Sequence, residues 1–153
     1  MRGLVVDDRR RVVLVRFDGV VDGTFWTAPG GGIEDGEDDA TALARELREE
    51  LGLELTEPLG SPVWTRTHEF RLPMSRWDGQ SDRFYLVRVP AFDIRPMMSQ
   101  AALEAEGVRE IRWWSPADLE RAVDVVFAPR RLPQLLAELL DHGPSIEALD
   151  VGI

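Results

Sequence analysis

The sequence predicts an α+β fold, an α/β/α sandwich in which helices cover both faces of a mixed β-sheet. The chain has 153 residues, which suits one domain with one sizeable core. Hydrophobic residues make up 44%, which indicates a packed globule rather than a disordered chain. The predicted elements run in the order strands, helix, strands, helices, unlike the regular alternation of a doubly wound fold. We expect a single domain over residues 1–143 and a loose C-terminal tail over residues 144–153.

The strands are predicted from runs of β-branched and aromatic residues. Leu4–Val6 and Arg11–Phe17 are the first two, and the polar DDRRR stretch at their junction predicts a hairpin turn. The later predicted strands are Thr24–Pro29, Pro62–Leu72, Arg83–Val89 and Gly107–Ser115, and the predicted loops are Asp18–Gly23 and Pro73–Ser81.

The helices are predicted from apolar residues that recur at helical spacing. Ala40–Leu51 shows this spacing, with Asp38 as the expected N-cap and Gly52 as the expected end. A Ser-Pro start predicts a helix over Ser115–Val123. A Leu-rich stretch predicts another helix over Leu132–Gly143.

Composition excludes several classes of function. The chain has no cysteine, which excludes a disulfide framework, a thiolate metal site and a cysteine nucleophile, and which favours a cytoplasmic location. No apolar run approaches the length of a membrane span, so we expect no membrane association. The net charge of −10 disfavours a nucleic-acid polymer as partner. A small phosphorylated ligand stays compatible, because a divalent cation can reverse the local charge.

An acidic stretch follows three consecutive glycines. On a helical wheel, the carboxylates of Glu46, Glu49 and Glu50 fall within an arc of about 100°, beside the apolar stripe. Such a group is compatible with a solvated acidic face. Clustered carboxylates at the edge of a buried stripe are also what a hard cation such as Mg²⁺ requires.

The spacing of these residues resembles the signature box of the Nudix hydrolases. Every specified position of the box is present between Gly31 and Leu53, and the preceding WTAPGGGIEDGE stretch is also similar to the family pattern. The specified positions are Gly31, Glu37, Arg45, Glu46, Leu47, Glu49, Glu50, Gly52 and Leu53.

The resemblance implies metal-dependent hydrolysis of a diphosphate linkage in a nucleoside diphosphate derivative. It implies that Mg²⁺, or Mn²⁺ in its place, is held by Glu46, Glu49, Glu50 and a backbone carbonyl at Gly30. Glu46 is at the same time a candidate for the base that activates water. The expected products are a nucleoside monophosphate and a phosphorylated remainder.

Other charged residues are expected to support this group. Arg45 is expected to orient the carboxylates, and Glu37 to fix the glycine loop to the helix. A further acidic residue from outside the box is expected to act in catalysis, and Glu106, just before Gly107, is our choice. The other candidates are Glu104, Glu110 and Glu69.

The substrate is assigned by elimination. The sequence motifs that mark the NADH, ADP-ribose and coenzyme A branches of the Nudix family are absent. This leaves nucleoside triphosphates or oxidised nucleotides as the expected substrates. ADP-ribose or a nucleotide sugar is the alternative. Most aromatic residues are expected in the core, although one of Phe25 and Trp26 can face the cleft. The arginines that we expect as candidates for phosphate contacts are Arg66, Arg71 and Arg83.

Two other classes of function compete with a hydrolase. A Nudix-like module that senses nucleotides without cleaving them tends to lose carboxylates of the box, and here all are present. An isoprenyl diphosphate isomerase shares the fold but relies on a cysteine, which this chain lacks. We expect a small nucleotide as the partner and a homodimer as the assembly.

Overall fold

The computed structural model describes residues 1–19, 23–69 and 79–152. Within these residues, eight strands form one mixed sheet with the order β7-β3-β2-β1-β5-β4-β8, and β6 pairs with β2. The strands are β1 (Arg2–Val6), β2 (Val12–Gly19), β3 (Gly23–Thr27), β4 (Trp64–Glu69), β5 (Gly79–Arg88), β6 (Val108–Trp114), β7 (Phe127–Ala128) and β8 (Leu149–Asp150). The helices are α1 (Asp39–Leu51), α2 (Gln100–Ala105), α3 (Pro116–Glu120) and α4 (Leu132–His142).

The hairpin between β1 and β2 is closed by Asp7. Its carboxylate accepts hydrogen bonds from the backbone nitrogens of Arg9 (3.0 Å) and Arg11 (2.8 Å) and from Nε of Arg11 (2.7 Å). Arg10 adopts a positive φ of 62°, which a tight reversal of the chain requires. The predicted turn is therefore confirmed.

The two faces of the sheet bury different side chains, because neighbouring residues of a strand point to opposite faces. Val5 and Val13 pack on one face against the apolar stripe of α1. Leu4 and Leu14 pack on the other face against α4. The Leu-rich helix α4 therefore packs within the domain, and the homodimer stays a prediction.

Helix α1 has both ends that the sequence predicts, the N-cap at Asp38 and the stop at Gly52, and it begins at Asp39, one residue before the predicted Ala40. The side chain of Asp38 accepts a hydrogen bond from the backbone nitrogen of Thr41, which satisfies a free donor of the first turn. Gly52 ends the helix in the left-handed conformation, with φ 68°. These two ends fix which residues of α1 face the sheet.

Several predicted boundaries need correction. Gly79 to Ser81 belong to β5 rather than to a loop, because they pair with β4 up to Glu69. Strand β2 extends through Asp18 to Gly19, which we expected in a loop, and β3 ends at Thr27 rather than Pro29. Helix α3 ends at Glu120, three residues before the predicted end. Gly23, which we also expected in a loop, is the first residue of β3. Residues 20–22, 70–78 and 153 lie outside the described residues, so the rest of both predicted loops, the predicted strand end at residues 70–72 and the last tail residue are not described.

Three short elements were not predicted. Helix α2 has six residues, and its N-cap is Ser99, whose hydroxyl accepts from the backbone nitrogen of Ala102. Strand β7 pairs in parallel with β3. Strand β8 pairs with β4, so the segment after residue 143 is not loose at Leu149–Asp150. Among the described residues, no helix has the length and apolar character needed to cross a membrane.

Candidate active site

The carboxylates of α1 are not a solvated acidic face. Glu46 is 9% exposed and Glu50 is 2% exposed, so both lie at the border of the core. The side chain of Glu49 is 35% exposed, and it lies on the outer side of the same group. Burying carboxylates is unfavourable unless they are neutralised or paired, so this arrangement indicates a site rather than a surface.

Glu50 lies under the glycine loop. Its Oε2 accepts a hydrogen bond of 2.8 Å from the backbone nitrogen of Gly30. Burial raises the pKa of Glu50 to about 7, although the Gly30 N–H and the nearby charge of Arg2 act in the opposite direction. No salt bridge joins Glu50 to a cationic side chain among the residues that the structure describes. A carboxylate in this state has a free oxygen to offer to a cation.

Arg45 gathers the other carboxylates of the box. Its Nε and Nη2 donate to the two oxygens of Glu37 at 2.9 and 3.1 Å. Its Nη1 donates to Glu46 at 3.0 Å and to Glu49 at 3.3 Å. These contacts use the planar fork of a guanidinium, which a lysine ammonium cannot reproduce. The hydrogen bonds that Arg45 donates to Glu37 raise the pKa of Arg45 above its ordinary value, against the effect of burial.

Glu37 joins the glycine loop to the helix. Besides Arg45, its carboxylate accepts a 2.9 Å hydrogen bond from the backbone nitrogen of Glu34. Arg45 in turn donates to the carbonyl of Gly32 at 3.2 Å. The loop and the first turns of α1 are therefore held together by one ion pair and its backbone contacts.

Two residues of the glycine loop, Gly30 and Gly31, lie too close to neighbouring atoms to carry a side chain. Gly30 has a φ of 126°, and a Cβ there would collide with the backbone carbonyl of Met1. A Cβ on Gly31 would collide with the carboxyl group of Glu46. The carbonyl of Gly30 accepts a 2.7 Å hydrogen bond from Arg2. A carbonyl oxygen has two lone pairs, so this bond leaves one for another partner.

Glu106 lies within electrostatic reach of α1. It is the exposed C-cap residue of α2, and its charge contributes to the raised pKa values of both Glu46 and Glu50. For Glu46, burial is the larger cause, and the hydrogen bond from Arg45 opposes it. Of the other candidates, Glu104 accepts a hydrogen bond from Gln100, and Glu110 pairs with arginines of the sheet.

The oxygens of Glu46, Glu49 and Glu50 are of the chemical kind that Mg²⁺ prefers. In the described ranges, no three carboxylate or imidazole side chains converge closely enough to hold an ion in the present arrangement. Arg45 holds Glu46 and Glu49, while the N–H of Gly30 holds Glu50. The chemistry of these three donors fits a divalent cation.

Most aromatic residues belong to the core, as predicted. Trp26 is 7% exposed and packs edge-on against Trp114 at 4.9 Å between ring centroids. Phe25 is half-buried and stacks on Phe17 on the neighbouring strand. Tyr85 donates its hydroxyl to Asp39, at the start of α1. Phe70 and Trp77 lie outside the described residues.

The three arginines proposed for phosphate contacts differ in their surroundings. Arg83 forms a salt bridge with Asp39, so its charge is already neutralised. Arg71 lies outside the described residues. Arg66 is half-buried, and its Nε is a buried donor that has no acceptor within the described part of the chain. The contacts of Arg2 with Gly30 and of Arg2 with Asp82 were not predicted, because they join segments far apart in the sequence.

Most of the chain matches the sequence model of a known protein family. The sequence model described as NUDIX domain matches residues 2–135 of the chain. The chain belongs to the Nudix family. Nudix hydrolase 25 of Arabidopsis thaliana is 37% identical over 111 residues, which are 65% of this chain and 63% of that protein. An RNA pyrophosphohydrolase of Vibrio cholerae is 33% identical over 102 residues, 60% of this chain and 58% of that protein.

The chain spans about three fifths of the length of these curated relatives. Solved structures are similar over more of their length. The ORF135 protein of Escherichia coli matches with a TM-score of 0.57 and 25% identity, over 92% of this chain and 86% of that one. A MutT Nudix hydrolase from Burkholderia pseudomallei matches with a TM-score of 0.61 and 19% identity, over 88% and 93%.

The Nudix domain of NrtR from Shewanella oneidensis, whose structure was solved in complex with ADP ribose, gives a TM-score of 0.62 at 16% identity. It covers 92% of this chain and 84% of that chain. The predicted Nudix fold, an α+β arrangement of helices around a mixed sheet, is thereby confirmed.

Proposed function

We propose that this protein is a metal-dependent pyrophosphohydrolase that cleaves a diphosphate linkage in a nucleoside diphosphate derivative. A nucleoside triphosphate or an oxidised nucleotide is the proposed substrate, and a nucleoside monophosphate is one product. The observation that carries the proposal is the pair of buried carboxylates, Glu46 and Glu50, beside a glycine loop in which Gly30 and Gly31 have no room for a side chain. The protein would act in the cytoplasm on a small nucleotide, with no nucleic-acid polymer or membrane as partner.

The residues that would hold Mg²⁺, or Mn²⁺ in its place, are Glu46, Glu49, Glu50 and the carbonyl of Gly30. A bound divalent cation supplies neutralisation of the charge that builds on the phosphate oxygens as the bridging bond breaks. The unequal burial of the three carboxylates supports this assignment. Glu50 is held in place by the Gly30 N–H, whereas the partly exposed Glu49 is held only by a 3.3 Å contact with Arg45.

Arg45 has two tasks in this proposal. Its Nη1 holds Glu46 and Glu49 beside one another and compensates their charges before substrate arrives. Its two hydrogen bonds to Glu37 keep the guanidinium in place when Glu46 and Glu49 turn towards the metal. Arg45 is therefore a positioning residue.

The base that accepts the proton of the attacking water is either Glu46 or Glu106. Burial raises the pKa of Glu46, which makes this carboxylate a better proton acceptor than an ordinary surface Glu. Glu106 is exposed and lies at the end of a short helix, from which it can approach a bound substrate. Both remain candidates in this proposal.

Three other hypotheses about the ligand or the activity are tested in the same experiment. Relatives named RNA pyrophosphohydrolase favour an RNA as a substrate. The ADP-ribose complex of the NrtR domain favours ADP-ribose or a nucleotide sugar as the ligand. A non-catalytic sensor would bind such a ligand without cleaving it.

The test is release of phosphate or nucleotide from a panel of substrates, with Mg²⁺ and with EDTA. The panel contains dNTPs, oxidised dNTPs, ADP-ribose, nucleotide sugars, dinucleoside polyphosphates and a 5′-triphosphorylated RNA oligonucleotide. We expect cleavage of a triphosphate substrate that stops in EDTA. Tight binding of one compound without cleavage of any would replace the hydrolase by a sensor.

A further inference from the structure

Strand β6 contains an extra residue near its start. Arg16 of β2 pairs with Glu110, and the following residue Phe17 pairs with Val108, so Arg109 is inserted between two consecutive pairs. Such a β-bulge bends the strand and changes the direction of the inserted side chain. The bulge lies directly after the turn that joins α2 to β6.

The side chain of Arg109 joins three elements. Its Nε donates to Oδ2 of Asp18, near the end of β2, at 2.6 Å. Its Nη1 donates to the backbone carbonyl of Glu104, in α2, at 3.0 Å. The N–H of Gly107 donates to the same carbonyl at 3.1 Å, so both lone pairs of that oxygen are used. The end of α2 is therefore attached to both strands through Arg109.

Helix α2 depends on such attachments because it is short. A helix of six residues is not stable in isolation, and Leu103 is its one buried residue. Leu103 packs against Val15 and Val108 of the sheet. In the turn after the helix, Gly107 has a φ of 85°, and its carbonyl accepts a 3.2 Å hydrogen bond from the backbone nitrogen of Asp18. Asp18 therefore holds this turn directly with its backbone.

Glu106 lies in the turn that Arg109 holds. In the part of the chain that the structure describes, neither a hydrogen bond nor an ion pair holds the carboxylate of Glu106. Its charge nevertheless acts on α1, where it contributes to the raised pKa values of Glu46 and Glu50. The position of this carboxylate is therefore set by the backbone of the turn.

An ion pair of the same length lies elsewhere in the fold. Arg10 and Asp141 are also 2.6 Å apart, and their side chains are 48% and 53% exposed, against 37% and 53% for Arg109 and Asp18. Arg10 joins the β1–β2 hairpin to α4, on the face of the sheet opposite to α1. Exposed pairs of this kind contribute little to stability. We therefore expect the two pairs to differ in what they position rather than in how much they stabilise the fold.

We propose that Arg109 is a positioning residue, which holds Glu106 opposite the carboxylates of α1 in the proposed reaction. This role rests on the proposed function, and it includes Asp18 as the partner that fixes Arg109. A displacement of about 1 Å in a catalytic group can lower a rate by about 100-fold, so a contact that adds little stability can still matter for the reaction. Loss of Arg109 should therefore affect catalysis more than stability.

The first test is steady-state kinetics of Arg109→Met with Mg²⁺, on the best substrate of the panel. We expect kcat to fall at least about tenfold while KM stays within about twofold, because the displaced carboxylate acts in the chemical step. The melting temperature should change no more than in the matched control Arg10→Met, which should keep the wild-type kcat. Asp18→Asn weakens the attachment of Arg109 and should also lower kcat.

Combination with Glu106→Gln separates positioning from a structural role. Glu106→Gln alone should lower kcat by at least about tenfold. Because Arg109 acts through Glu106, adding Arg109→Met to Glu106→Gln should change the rate by less than about twofold. A general loosening of the fold would instead multiply the two losses. Arg109→Lys keeps the charge near Asp18 but lacks the fork that reaches Glu104, so it should fall between wild type and Arg109→Met, and it replaces that variant if Arg109→Met does not fold.

Failure of the proposed function and failure of this role give different results. A wild-type protein that cleaves no compound of the panel would overturn the hydrolase and, with it, the role of Arg109. A wild-type rate in Glu106→Gln or in Arg109→Met, or multiplied losses in the double variant, would overturn the role of Arg109 alone. A loss of kcat in Arg109→Met that disappears in the Glu106→Gln background supports it.

Discussion

At the scale of single residues, the glycine loop and the carboxyl group of Glu46 occupy adjoining space. No side chain fits at Gly31, because its Cβ would collide with that carboxyl group. Gly32, the next residue, has no heavy atom within 4 Å of the same position. Gly31 therefore has no room for a side chain and Gly32 does, although the two glycines look equivalent in the sequence.

Gly31→Ala should displace Glu46 and lower kcat by at least about tenfold, which corresponds to about 1.4 kcal/mol in the barrier. Gly32→Ala is the control and should stay within about twofold of wild type. Steady-state kinetics on the best substrate of the panel, together with melting temperatures, measures both. Equal effects of the two variants would mean that the contact of Gly31 with Glu46 has no part in catalysis.

At the scale of elements, the hairpin of β1 and β2 depends on the buried carboxylate of Asp7. Burial alone would raise the pKa of Asp7, but the hydrogen bonds from Arg11 and Arg9 outweigh it and hold the pKa below its ordinary value. A lowered pKa in the folded state means that the ionised carboxylate stabilises the fold above the unfolded pKa near 4. This stabilisation is lost as the pH falls through the folded pKa.

Asp7→Asn should therefore lower the free energy of unfolding at pH 7 by about 1–3 kcal/mol. The difference from wild type should shrink below about pH 4, where the carboxylate becomes protonated in the unfolded chain and then in the folded one. Urea unfolding at several pH values measures this difference in the free energy of unfolding. Asp8→Asn is the control, because Asp8 is exposed, and a difference that stays constant with pH would contradict the account.

Sequence patterns predict the long elements because those elements carry their own signals. Helix α1 has a periodic apolar stripe, the cap at Asp38 and the end at Gly52. Helix α2 has six residues, too few for a periodic pattern, and only its cap at Ser99 marked it. Strands β7 and β8 have two residues each, and they form because a neighbouring strand edge is available.

The contacts of the candidate site likewise fall into those that local sequence spacing predicts and those that it does not. The contacts of Arg45 with Glu37, Glu46 and Glu49 lie within one short stretch, so local spacing predicts them. The contact of Arg2 with Gly30 and the cross-strand neighbours Arg66 and Asp82 depend on the strand order. No local pattern contains that order, so these neighbours could be identified only in the folded chain.

At the scale of the whole molecule, one sheet separates two cores. Leu132 of α4 is fully buried in the core on one face, and the stripe of α1 fills the core on the other. Both cores use the same strands, because alternate residues of β1 and β2 point to opposite faces. We therefore expect the two sides to unfold together.

Leu132→Ala should lower the free energy of unfolding by about 2–5 kcal/mol, because it removes buried methyl groups and leaves a cavity. Gln134→Ala, an exposed position of the same helix, should change it by no more than about 0.5 kcal/mol. Urea unfolding followed by circular dichroism and by tryptophan fluorescence measures both. Two separate transitions in the Leu132 variant would mean that the cores are independent.

In the proposed reaction, the carboxylates of α1 bind the metal that the reaction requires. The most direct measurement is the rate of cleavage of the best substrate, over a Mg²⁺ titration, in wild type, Glu49→Gln and Glu54→Gln. The side chain of Glu49 contacts Arg45 and is 35% exposed, and that of Glu54 is 72% exposed. We predict that Glu49→Gln loses at least about 100-fold in rate with an unchanged melting temperature, while Glu54→Gln keeps the wild-type Mg²⁺ dependence. Near wild-type turnover by Glu49→Gln, or cleavage that continues in EDTA, would contradict the account.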